Sequence, residues 1–168
     1  MLELIEAQAI NLSYQKINEF AQRVEKTQIA SLPSVNNAIN LMGGKITEIS
    51  LTDWENKKFP FVIVNDQNDF EIFICETFPQ EMKRFLILQA LGHYILHSES
   101  GLQPCQISSV AKSAASREGI IFALSLLVPD ELAKQLIARG TSNIEIANYF
   151  NVLPQMVVLK KKFMNQLN

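Results

Sequence analysis

The chain lacks a C-x-x-C pair, a long apolar run and any excess of basic charge. Each absence removes a class of function. Cys75 sits in a strand-like run and Cys105 in a polar loop, no secretory leader precedes them, and a reduced cytoplasmic protein is the simplest expectation. No basic residue adjoins Cys75, and no Cys-His pair with a third orienting group can be assembled, so nucleophilic catalysis is not expected. The longest apolar stretches, such as residues 119–129, fall short of the roughly 20 residues a membrane span needs. A formal net charge of −2 and a pI near 5.7 withhold the general attraction to phosphate backbones.

What is present is a globular pattern. With 168 residues, 48% of them hydrophobic, the chain is expected to form one domain over 1–168 with its own core. Apolar residues at three- and four-residue steps from Leu2 to Glu25 predict an amphipathic helix, and Val35, Ala38, Ile39 and Met42 a short one ended by Gly43-Gly44. These N-terminal helices fill 1–44. A small sheet over 45–76 is expected from three runs, Lys45–Leu51, Phe59–Val64 and Phe70–Cys75, the last two joined by a polar turn. Asp66 and Asp69 in that turn lack the spacing of a calcium loop.

The remainder, 77–168, reads as helical: a helix over 78–97, a polar loop 98–109, an apolar helix 112–128, and a shorter one opened by Pro129 and ended by Gly140. Ser142-x-x-Glu145 has the form of a capping box, and Pro154 begins a last helix. The expected class is α+β, with a three-stranded antiparallel or mixed sheet and a mainly helical remainder.

One helix carries the most specific signal. Residues 89–93, Gln89-Ala90-Leu91-Gly92-His93, align with the zinc-peptidase form H-E-x-x-H but keep only its last residue. Around it, Lys83-Arg84-Phe85, Leu91-Gly92-His93-Tyr94-Ile95-Leu96-His97, Phe122-Ala123, Leu126-Leu127-Val128-Pro129, Leu32-Pro33 and Gly44-Lys45-Ile46 stand in a telling order. In these words the chain, over roughly 28–165, resembles the zincin-like ImmA/IrrE-type metallopeptidases of bacterial and phage regulatory operons.

The resemblance implies a zincin-like fold and a set of replaced functional positions. The first zinc-binding histidine becomes Gln89, the general base becomes Ala90, His93 remains, and the acidic third ligand falls at Ser116, with Glu118 two residues on. An amide is a poor substitute for imidazole, and alanine has no proton to move. The expectation is a pseudoenzyme with no cofactor, acting in regulation on a protein partner. The resemblance names that partner's class as a phage- or mobile-element-type helix-turn-helix repressor. An edge strand bearing Phe70, Ile72 and Ile74, together with the helix face at Gln89 and His93, is the expected docking surface.

Two other readings stay open. His93, His97 and Glu118 could form a rearranged zinc site in a working metallopeptidase, since residues four apart share a helix face; the plainer reading of both histidines is packing. Residues 144–149 and 154–163, ending in Lys160-Lys161-Lys162, could be a DNA-reading helix-turn-helix, but one lysine triplet is a small footprint and a packed helical pair is favoured.

Overall fold

Serine hydroxyls set where most of the helices begin. In the computed structural model, which describes residues 4–110 and 113–166, Ser13, Ser31, Ser50, Ser113 and Ser142 each accept the backbone N–H three residues on. That bond satisfies one of the donors a helix start leaves unpaired. The helices so capped are α1 (Tyr14–Ala21), α2 (Leu32–Leu41), α3 (Leu51–Glu55), α5 (Ala114–Leu127) and α7 (Asn143–Phe150). At α7 the capping box is complete, with the Glu145 carboxylate accepting the Ser142 N–H. Helices α4 (Gln80–Gly92), α6 (Asp130–Ala138) and α8 (Pro154–Asn165) start at or after prolines instead.

Among the described residues the sheet has five strands, not three: β1 (Ile5–Glu6), β2 (Gly44–Ile49), β3 (Val62–Asp66), β4 (Asp69–Cys75) and β5 (Cys105–Ile107), in the order β1-β5-β3-β4-β2. β3 pairs antiparallel with β4 and β5, whereas β2 pairs parallel with β4 and β1 parallel with β5. The architecture is α+β with a mixed sheet, as expected for a zincin-like fold.

Several expectations are corrected. The helix predicted from Leu2 to Glu25 is confined to α1; Leu2 lies outside the described residues, Ile5 and Glu6 pair with β5, and Asn11 at φ +55° interrupts the chain before Ser13. The loop 98–109 contains β5, in which Cys105 is buried. α3 stands between the first two predicted strands. The predicted start of α5 at Lys112 also lies outside the described residues.

Most consequential is the place of β4. It is an inner strand, flanked by β3 and β2, and Phe70, Ile72 and Ile74 are fully buried. Phe73 and Cys75 are buried on its other face, and a strand apolar on both faces belongs inside a sheet. This strand therefore offers a partner neither an edge nor those side chains.

The core joins the inner face of the sheet to α4 and α5, with Phe70 stacked on Tyr94 at 4.1 Å between ring centres. Gly92 lets the two helices close in, since a Cβ there would stand 2.9 Å from Phe122 Cβ. After Gly92 the backbone widens into a π-turn over His93–His97, closed by Ser98 N–H reaching the His93 carbonyl at 3.2 Å.

Candidate functional site

The close approach of α4 and α5 puts their facing side chains in one buried layer. Gln89, His93, His97, Ser116 and Glu118 all lie in it, each no more than 5% exposed. Gln89 donates from Nε2 to Ser116 Oγ at 3.1 Å, and the Ser116 hydroxyl donates onward to the Val110 carbonyl at 3.4 Å. Ala90, beside Gln89, is fully buried.

A second set of bonds runs along the other side of the layer. His93 Nδ1 lies 2.8 Å from His97 Nδ1, and His97 Nε2 lies 2.6 Å from Glu118 Oε2. The Glu118 carboxylate also accepts the Ile10 N–H at Oε2 and the Leu12 N–H at Oε1, both at 3.2 Å. Three donors thus compensate a buried carboxylate.

Burial fixes the protonation of this chain. It pushes His93 down to about 3, with His97 contributing in the same direction. It pushes His97 down as well, against the opposing pull of Glu118. With both rings neutral, one arrangement satisfies the bonds: His97 Nε2–H donates to Glu118, and His93 Nδ1–H donates to the bare Nδ1 of His97. His93 Nε2 is then left as a lone pair, and it is buried with no hydrogen-bond partner. It looks toward Gly119, where a Cβ would stand 3.0 Å away, and the Phe61 ring packs edge-on against the imidazole at 6.1 Å.

These residues do not fit zinc. At the position across from Ser116 stands a neutral amide, a far poorer zinc donor than imidazole, and Ser116 itself is a neutral hydroxyl. Only His93 Nε2 has the form of a ligand. His93, His97 and Glu118 do come together, but as a chain in which both nitrogens of His97 are already committed, rather than as donors converging on a point. Among the described residues, no group of three or more His, Cys, Asp or Glu is arranged to hold a metal ion.

The order of the layer also separates Ser116 from Glu118. Ser116 faces Gln89, and Glu118 faces His97 and the N-terminal segment. The family model for the peptidase family described as the IrrE N-terminal-like domain matches residues 40–161. The chain belongs to this family. No curated protein and no solved structure matches it. Within the IrrE-type family the matched span takes in α4, the π-turn and α5, hence every residue of the layer.

Other expected sites are placed differently. Gln89 and His93 are as buried as Ile72, so neither meets a partner directly in this conformation. Lys160 is buried too: its ammonium pairs with Asp130 and donates to the Tyr14 hydroxyl at 2.6 Å, which itself donates to Asp130 at 2.7 Å. Lys161 donates to Asn143 Oδ1, leaving Lys162 as the exposed member of the triplet. α7 and α8 pack on the core through Ile146, Ala147, Met156, Val157 and Phe163. No helix among the described residues is long and apolar enough to cross a membrane.

Sequence reasoning missed the two main-chain donors, Ile10 and Leu12, because a backbone N–H carries no residue signature. It also missed Phe61, whose place in an apolar strand-like run gave no sign of contact with the motif helix.

Proposed function

We propose that this chain is a catalytically inactive member of the IrrE-type peptidase family that works by binding another protein. The observation carrying the proposal is the Gln89–Ser116 hydrogen bond, which closes the α4–α5 layer with a donor and a hydroxyl where hydrolysis needs ligands. Ala90 supplies no base, and loss of base and Lewis acid together removes the means to activate water. The resemblance to repressor-inactivating relatives makes a helix-turn-helix repressor in the cytoplasm the partner of choice. Binding such a repressor holds it off its operator without cutting it.

The test is to mix the purified chain with a phage-type helix-turn-helix repressor from the same genome. Intact masses for both chains in a stable complex, with release of the operator, are expected. Repressor fragments would overturn the proposal, as would the absence of any complex.

A further inference from the structure

Ser125, near the end of α5, carries a buried hydroxyl that nothing answers. The residue is 5% exposed, and its Oγ has no hydrogen-bond partner among the described residues. An unmet buried donor costs free energy, so an acceptor is expected beside it. Ser125 borders a cavity of about 450 Å³ between α1, the turn that follows it, the end of α5 and the start of α6. Along α5 this lies about 10 Å from Glu118, away from the layer that holds Gln89 and His93.

The start of α6 offers further donors to the same space. Pro129 occupies the cap position, and no side chain caps the helix. The first bond inside it runs from Ala133 N–H to the Pro129 carbonyl, so the N–H groups of Asp130, Glu131 and Leu132 have no helical acceptor. All three residues line the cavity. Bare amides at a helix start, reinforced by the helix dipole, favour an anion. The two acids there are already met or turned to solvent. Asp130 is matched by Lys160 and Tyr14, and the Glu131 side chain is 86% exposed, 4.0 Å from Lys134. Lys26 lines the cavity from the turn after α1 and forms no ion pair among the described residues.

We propose that this cavity binds a small organic carboxylate with an apolar body. The carboxylate accepts from the Ser125 hydroxyl and from the amides at the start of α6, and Lys26 supplies the counter-charge. The apolar body lies against Val24, Ile29, Leu126 and Leu132. The volume falls within the range of small-molecule sites. A singly charged acid suits the site better than a phosphate dianion, because the carboxylates of Asp130 and Glu131 stand on the same helix turn as the amides. A ligand held there touches α1, α5 and α6 together and so stabilises the folded chain.

The experiment titrates the full, isotope-labelled chain with phenylacetate and follows the backbone amide signals. Saturable shifts at Glu131 and Leu132 are expected, with a midpoint at or below about 1 mM. Phenylacetamide, its neutral counterpart, is expected to give no saturation. Ser125→Ala and Lys26→Gln are each expected to weaken phenylacetate by roughly fivefold or more. Without ligand, Ser125→Ala is expected to melt no lower than the unaltered chain, since the hydroxyl it removes has no partner. Absence of saturation, equal binding of the amide, or unchanged affinity in both variants would each overturn the proposal. A Ser125→Ala protein that melts lower would overturn it too, because the hydroxyl would then already have a partner. Inorganic phosphate that displaces phenylacetate at a lower concentration would overturn it in favour of a phosphate site.

Discussion

His93 and His97 face each other through their Nδ1 atoms at 2.8 Å, with one proton between them and the far end of the chain anchored on Glu118. Protonating either ring in place would put a cation into a buried layer. His93 is held at about 3 in the folded chain, against an ordinary 6.5 when unfolded, and His97 is lowered in the same sense. Below 6.5 the unfolded chain takes up protons that the folded chain refuses, so stability is full above that pH and falls toward pH 3. The loss expected from His93 alone is about 1.4 kcal/mol per pH unit within that window. Urea unfolding between pH 7 and pH 4 should show a shallower decline in His93→Leu than in the unaltered chain. Parallel declines would mean the imidazole is charged in the folded state.

Ser116→Ala takes away the acceptor for the Gln89 amide and leaves a buried N–H₂ unmet, which is expected to cost about 1–3 kcal/mol. Adding Gln89→Leu removes the donor as well. The double variant should therefore be less destabilised than the sum of the two single changes, which a double-mutant cycle from chemical denaturation would reveal. Strict additivity would contradict the bond.

Lys160 and Lys162 belong to the same lysine triplet but are opposite in environment. Lys160→Gln leaves the half-buried Asp130 beside Tyr14 without its cation and is expected to cost about 2 kcal/mol. Lys162→Gln, on the exposed side, is expected to stay within about 0.5 kcal/mol. Thermal unfolding of the two single variants checks this, and equal effects would contradict the buried placement.

The bare Nε2 of His93 suggests that the layer can be made to hold metal. Gln89→His with Ser116→Glu would surround that lone pair with a second imidazole and a carboxylate. The double variant is expected to take up one zinc per chain and to lose it when His93→Ala is added. Failure of the folded double variant to bind zinc would show that Ser116 does not stand where a third ligand is needed.

Much of this was legible in the residues, where local chemistry decides the outcome. Ser142-x-x-Glu145, Pro154 and Gly43, at φ +81°, mark helix ends through bonds and backbone angles that belong to those residues themselves. The pairs β1 and β5 were not legible, because strands of two or three residues are strands only by virtue of their neighbours. The apolar Phe73 and Cys75 were the available sign that β4 is an inner strand, since an edge strand with one wet face has no reason to carry them. In the site, the replacements at Gln89 and Ala90 could be read directly. The pairing of Ser116 with Gln89, and of Glu118 with His97, depends on how closely α4 and α5 pack at Gly92, which no local pattern states.

The most direct test is the metal content of the unaltered chain, purified without chelators or a histidine tag, measured by mass spectrometry for zinc, manganese and iron beside His93→Ala. The account predicts no stoichiometric metal in either protein. One metal per chain, absent from His93→Ala, would contradict it and return the layer between α4 and α5 to hydrolytic chemistry.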